Sequence, residues 1–509
     1  MKIEKSSTLP FNHKVSFKEF QDKVQIFDFV STLMSLQKLS VFLSNQSAVN
    51  INLEYEFHTG PRVKHTVLLP KDFISFTAKQ CILKCKPSDL EYNDLDLVKL
   101  AYEYGNIETD LDSIDPKSEN AWLWVLRATN HQWFYLRDHS SIMGRYLYLF
   151  EKVFEDAPDL KRQADESLGI DFFDILKIGT CIYSHFCPRP EGFATSFEMS
   201  NFTGADIEEL KPLLTKENID KFMAVFSIRQ GGFRTENDKY KVSDDLLKKY
   251  EFNPLKRYPV IKTECEESNK QFIIPSLPDF LYACFEGIYY VLLERFEQEK
   301  QDTLLQSFGK QFEIYIGELM SFYNIPTFSH GSLLPEQTYK VGKSEFKSAD
   351  WIIVSEKFIF QIECKKRKLS NYAKVGIEDE TVSDINSFLK SVSKELDKFP
   401  SKEKHIAKGE VDKIKYDGQE FVNIIVYLDE MFALNRFARD MIKSSMNEKT
   451  DNFYILGCWE FELLCQHASD KHINLKDALD DVVNKKTEVY SISFLGRIYN
   501  KFFKSLISN

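Results

Sequence analysis

Asp350, Glu363 and Lys365 are the residues of this chain whose types and spacing could do chemistry. They flank two short apolar runs, Trp351-Ile-Ile-Val354 and Phe358-Ile-Phe-Gln-Ile362, joined by the polar turn Ser355-Glu-Lys357. Such runs read as a hairpin. Side chains alternate across a strand, so Phe358, Phe360, Ile362 and Cys364 share one face while Gln361, Glu363 and Lys365 share the other. A hairpin of this length could return Glu363 close to Asp350. Two carboxylates beside a lysine can hold a divalent cation and keep a positive group near a reacting water or phosphate. The bland alternative is that Glu363 opens the charged run Lys365-Lys-Arg-Lys368 and simply ends a buried strand; a lone Glu-x-Lys does not choose between the two.

The elements that must position these residues are legible on both sides. Upstream, apolar positions Leu281, Cys284, Phe285, Ile288, Tyr289, Leu292 and Phe296 predict a helix from Asp279. A solvated stretch to Asp302 follows, then a second helix from about Leu304 through Phe312 to Met320. Downstream, 366–382 reads as a polar loop and 383–399 as an amphipathic helix with Ile385, Phe388, Leu389, Val392, Leu396 and Phe399 on one face. A charged loop is expected over 401–418, a buried strand over 421–428, a helix over 431–446 and a last strand over 452–459. This order describes an α/β layout around a mixed sheet.

The arrangement resembles the core of the PD-(D/E)XK, or restriction-endonuclease-like, nuclease superfamily. In that pattern an Asp leads an apolar strand, a short turn follows, and the next strand ends in Glu-x-Lys, as Asp350, Ile352 to Val354 and Glu363-Cys364-Lys365 do here. The family often adds a carboxylate on the preceding helix within Gly-x-x-Phe-Glu, which Gly309-Lys-Gln-Phe312-Glu313 fits. Gly309 and Gly317 lie four residues either side of Glu313 and leave its helix face without bulk, which favours Glu313 over Glu318. The resemblance covers about residues 300 to 465. It implies Mg²⁺ or Mn²⁺ held by Asp350, Glu363 and the backbone carbonyl of Cys364. Lys365 would orient water or stabilise an oxyanion, and Glu313 would hold a water beyond the metal's own ligands or a second metal. Gln361, on the face of Glu363, is a further candidate to position water, and Lys366, Arg367 and Lys368 are either backbone-phosphate contacts or a solvated charge cluster. A Pro before the Asp, present in the older form of the pattern, is Ala349 here.

Composition narrows the rest. The chain has 509 residues, 43% hydrophobic and 28% charged, with no uncharged run near the roughly 18 residues that span a bilayer and no apolar leader core, so a cytoplasmic protein without a membrane partner is expected. Nine scattered cysteines without a Cys-x-x-Cys pair suggest neither disulfide framework nor zinc ribbon. The net charge of -11 is uneven: 301–509 carry 29 Lys+Arg against 31 Asp+Glu, which leaves 37 against 46 before them. An acidic total does not exclude phosphate binding where basic residues cluster.

Before residue 300 the chain carries a helical stripe over 16–44 and alternating strands near 51–57 and 65–69. An aromatic run from Trp122 to Leu136 reads as core rather than base-stacking surface, and His131 and His139 complete no metal pattern. Helix is expected over 205–226, and Gly231-Gly232 is expected to turn the chain. Gly342-Lys343-Ser344 is no phosphate loop, because position 337, where the first glycine belongs, is Gln337.

The sequence therefore predicts a multi-domain protein. A mainly α region with a small β portion (1–250) is followed by a connecting helix and linker (251–300) and an α/β restriction-endonuclease-like domain with a central mixed sheet (301–509). The resemblance implies Mg-dependent endonuclease hydrolysis of DNA, ahead of RNA, in bacterial defence or restriction. The acidic upstream region would sense or bind a partner, either another protein or a second copy. The rival reading is a catalytically inactive scaffold that binds nucleic acid or protein.

Overall fold

The computed structural model describes residues 14–43, 48–55, 63–88, 90, 94–109, 139–151, 160–186, 210–265, 271–296, 298–366, 368, 378–429 and 452–484. The run from Trp122 to Leu136, Arg367 and the helix expected over 431–446 lie outside them. Helices predominate, with mixed and antiparallel sheets.

The stripe over 16–44 forms two helices, α1 (Phe17–Val24) and α2 (Phe29–Phe42), because each has its own N-cap. Ser16 and Glu19 form a capping box, and Asp28 accepts from the Ser31 amide at 2.7 Å. β1 (Ala48–Tyr55) pairs antiparallel with β2 (Val63–Pro70). α3 (Lys71–Lys84) is buried almost throughout, so its polar side chains need partners. Lys79 donates to Glu251 at 2.5 Å and to the Phe252 carbonyl at 3.0 Å. α4 (Asp94–Gly105) completes this first core, which joins Phe20, Leu36, Phe73, Ile82 and Leu100.

Next come α5 (His139–Glu151), α6 (Leu160–Leu168), α7 (Phe172–Phe186) and α8 (Lys216–Phe226). β3 (Ser227–Arg229) leads directly into α9 (Gln230–Asp238), so Gly231 and Gly232 open a helix instead of turning the chain. A Cβ on Gly232 would lie 3.0 Å from the Ile228 side chain, which gives this glycine a packing role. β4 (Val260–Lys262) pairs with β3 and with β5 (Phe272–Ile273). The single helix expected from Asp279 is two, α10 (Leu277–Cys284) and α11 (Ile288–Arg295). They separate around Gly287, where a Cβ would meet the Ala283 Cα and the Tyr282 carbonyl, each at 3.0 Å.

The sheet that carries the candidate site follows α12 (Gln298–Phe322), which starts earlier than expected, and the short α13 (Ile325–Phe328). Its strands are β6 (Gly331–Pro335), β9 (Trp351–Ser355), β10 (Phe358–Lys365), β11 (Glu420–Tyr427) and β12 (Phe453–Gly457), with the hairpin β7 (Thr338–Val341) and β8 (Ser344–Lys347) forming a separate pair. The order is β12-β11-β10-β9-β6, antiparallel from β6 to β10 and parallel from β10 to β12. Between β10 and β11 runs α14 (Glu378–Ala407). It passes through Pro400, an exposed residue, and so replaces the first part of the loop expected over 401–418. α15 (Cys458–Lys471) and α16 (Leu475–Asn484) end the described chain.

One face of this sheet, with Ile353, Phe360, Ile362, Val422, Ile424 and Val426, belongs to a core shared with Phe150, Phe172, Phe222, Phe280 and Phe312. Helices from both sides of residue 300 therefore bury the same apolar surface. Arg145 of α5 clamps Glu462 of α15 through Nε at 2.6 Å and Nη2 at 2.7 Å, and the Tyr315 hydroxyl donates to the same carboxylate at 2.6 Å. A buried charge tolerates this position only because it is so fully paired. Among the described residues no helix is long and apolar enough to cross a membrane.

Candidate active site

The pairing of β9 with β10 builds the site. Ser355 fixes the turn: its hydroxyl accepts from the Phe358 amide at 3.0 Å and donates to the Phe358 carbonyl at 2.8 Å. The ladder runs from Val354 opposite Ile359 to Trp351 opposite Ile362, which leaves Asp350 and Glu363 at the next step. There the Cys364 amide donates to Asp350 Oδ2 at 2.7 Å, so the first carboxylate is fastened to the strand that carries the second. Burial, then the charge of Glu363, pushes the Asp350 carboxyl up to about 7 against the opposing Cys364 hydrogen bond. Glu313 adds to the same effect.

Glu363 is 4% exposed, yet both of its oxygens have partners. Lys365 Nζ donates to Oε2 at 3.0 Å, and Lys402 of α14 donates to Oε1. Lys365 also pairs with Glu395 at 3.3 Å, which takes Lys398 at 2.9 Å. Burial pulls the Lys365 pKa down, but Glu363 and Glu395 outweigh it and raise the value above that of a free lysine. Its ammonium is therefore charged throughout the neutral range.

The oxygen donors suit a hard cation. Asp350, Glu363 and the Cys364 carbonyl offer the ligand type that Mg²⁺ or Mn²⁺ takes, and the raised Asp350 pKa marks a buried carboxyl that feels the charge of a second carboxylate. The Cys364 thiol faces the apolar core on the other side of β10, where burial pushes its pKa well up, so sulfur contributes nothing to the donor set. Among the described residues no three His, Cys, Asp or Glu side chains gather to hold a metal by themselves. A cation here would rest on two carboxylates, a backbone oxygen and water.

Glu313 stands close to this pair without bonding to it. Its side chain takes Lys310 at 3.0 Å, and its backbone carbonyl accepts from the Trp351 indole at 2.7 Å. The bare helix face around it is filled by neighbours. A Cβ on Gly317 would fall 2.0 Å from the Trp351 ring, and one on Gly309 would fall 3.1 Å from Cδ of Lys366. The two glycines admit Trp351 and the Lys366 stem, and they bring β9 and the end of β10 against α12.

Two expected residues have other work. Gln361 is fully buried, and its amide donates sideways to Asn423 Oδ1 at 3.0 Å, with Asn423 in turn donating to Glu403 at 2.8 Å. It lies on the face of Glu363 but inside the protein, away from solvent water. Lys368, expected to contact phosphate, has a side chain 1% exposed. It pairs with Glu286 at 3.5 Å, donates to the Tyr146 hydroxyl at 2.6 Å and sits over the rings of Tyr289 and Tyr290. A buried ammonium so enclosed cannot reach a nucleic-acid backbone. Lys366 is half-buried, and Arg367 lies outside the described residues.

Sequence reasoning missed Glu395, Lys402 and Glu403. For the first two the signal was available in the core-facing stripe of α14, which steps by four and three through the buried Phe388, Val392, Glu395, Phe399 and Ile406 and the largely covered Lys402. Charged residues at two of these core-facing steps are anomalous unless they meet charges opposite, as they do on β10. No protein-family model, curated protein or solved structure matches the chain.

Proposed function

We propose that this chain is a metal-dependent phosphodiesterase acting on DNA, with a restriction-endonuclease-like domain formed by its last third. The defence or restriction setting, and an upstream region that senses or binds a partner, belong to the same proposal. The observation that carries it is the β9–β10 register, which sets Asp350 beside Glu363 with Lys365 one pleat further on. α12 before the hairpin, α14 after it and the two parallel strands beyond supply the scaffold such a site needs.

The chemistry follows from charge. A divalent ion held by Asp350, Glu363 and the Cys364 carbonyl would offset charge building on the phosphate and acidify water. The Cys364 amide holds Asp350 against the strand that carries Glu363. Lys365, held by Glu363 and Glu395, presents a fixed ammonium that stabilises the developing oxyanion without reorganising. Glu313 adds negative charge that Asp350 feels and strengthens the site's demand for a cation.

A second reading, a nuclease-like scaffold that binds without cutting, is favoured by one observation. Both Glu363 oxygens are already engaged by ammonium groups. Mg²⁺-dependent nicking of plasmid DNA by wild type, Asp350→Ala and Lys365→Ala decides between them. Nicking by wild type that both substitutions abolish is expected. Nicking that survives both removes these residues from the chemistry, and failure to cut any DNA or RNA favours the scaffold.

A further inference from the structure

The arrangement around Glu363 contains one cation more than the phosphodiesterase reading requires. Lys365 is anchored on both sides, by Glu363 at 3.0 Å and by Glu395 at 3.3 Å, and stays in place whatever happens at the other Glu363 oxygen. Lys402 is different. Glu363 is the carboxylate it reaches, its side chain is 11% exposed, and its ammonium lies 5.6 Å from the centre of the Phe399 ring one turn back along α14. It reaches Glu363 because α14 continues through Pro400, which carries the core-facing stripe of the helix to the end of β10.

Resting on the reading above, we infer that Lys402 is an intramolecular competitor for the divalent ion. Its ammonium occupies Oε1 of Glu363 in the metal-free protein and gives that oxygen up when the ion binds between Glu363 and Asp350. The argument is electrostatic. A hard cation needs carboxylate oxygen, and in the metal-free state each Glu363 oxygen already accepts from a lysine ammonium. Two cations sharing one buried carboxylate repel in a medium that screens them poorly. Lys365 is held by a second carboxylate, so the less anchored Lys402 moves. The consequence is a site that keeps Glu363 neutralised and ordered without metal, at the cost of weaker metal affinity. Groups adjoining a metal ligand commonly change affinity by about 10–100-fold.

The test is Mn²⁺ binding to the full-length protein, followed by electron paramagnetic resonance of the free ion, together with thermal unfolding in EDTA and in excess Mn²⁺. Lys402→Met keeps the stem against Phe399 and removes the charge. It is expected to bind Mn²⁺ about tenfold more tightly than wild type, to unfold at lower temperature in EDTA, and to gain more from added Mn²⁺. Lys402→Gln, which still offers Glu363 a donor, is expected to tighten binding likewise and serves if the Met variant does not fold. Lys402→Arg keeps the charge and is expected not to tighten it. If Asp350→Asn abolishes Mn²⁺ binding while Lys402→Met and Lys402→Gln leave it unchanged or weaker, Lys402 is only a structural ion pair and the metal site itself stands. If neither wild type nor the Lys402 variants bind Mn²⁺, the metal reading and this inference fall together.

Discussion

Gly317 lies directly beneath the indole of Trp351, so close that a Cβ there would fall 2.0 Å from Cζ2 and 2.5 Å from Cε2. Trp351 follows Asp350 in the chain, and its Nε1 donates to the Glu313 carbonyl. The contact thus sets the distance between α12 and the strand that carries the first carboxylate. Gly317→Ala must push Trp351 outward. Overpacking of this kind costs about 1–3 kcal/mol, which urea unfolding will measure. Tryptophan fluorescence is expected to shift, and Mg²⁺-dependent cleavage to fall by more than the stability loss explains, because Asp350 moves with its neighbour. Unchanged stability would show that α12 and β9 pack more loosely than described.

Lys368 separates a core role from a binding role. Lys368→Met leaves Glu286, itself 3% exposed, without its ammonium, and breaking a buried pair costs about 3–5 kcal/mol. The expected result is a large drop in the urea midpoint. Lys366→Ala is expected to act in the opposite manner, weakening DNA binding in a salt-dependent way with little loss of stability. A Lys368 variant that folds as well as wild type and binds DNA poorly would return Lys368 to the interface.

The two site roles differed in how legible they were. The hairpin was readable because strand alternation is strict: once Ile362 and Cys364 face the core, Glu363 and Lys365 must face the other way. The helices were less so. α2 and α11 begin where they do because of Asp28 and Gly287, local features that an apolar stripe runs straight past. α14 was misread at Pro400, since a proline usually ends a helix, and with it went Lys402 and Glu403. Lys368 was misread for a different reason. A run of four basic residues looks solvated, and only the tertiary fold, through Tyr146, Glu286 and Tyr289, puts one member of it inside.

Asp350 makes stability depend on pH. Its folded pKa of about 7 lies above the ordinary unfolded value of about 3.9, so the folded state binds more protons between those limits. Stability is therefore lost as pH rises through that window, and the full penalty applies above it. Asp350→Asn can still accept from the Cys364 amide but carries no charge. In EDTA it is expected to melt near wild type at pH 4 and several degrees higher at pH 8. A pH-independent difference, or a less stable variant at pH 8, would contradict the charge assignment.

Gln361 offers the sharpest separation between catalysis and packing, because it shares a strand face with Glu363 and yet is fully buried. Its Nε2 donates to Asn423, while its Oε1 is buried without a hydrogen-bond partner among the described residues. Gln361→Met removes one satisfied donor and one unsatisfied acceptor together. Asn423, only half-buried, can turn its freed oxygen toward water. The two changes oppose each other, so the cost is expected to stay under about 1 kcal/mol in urea unfolding. Cleavage is expected to survive, since the amide is engaged with Asn423 inside the protein and is closed off from solvent. A loss of a hundredfold or more in kcat at unchanged stability would restore Gln361 to the reacting groups, and would mean that β10 shifts along β11 when substrate binds.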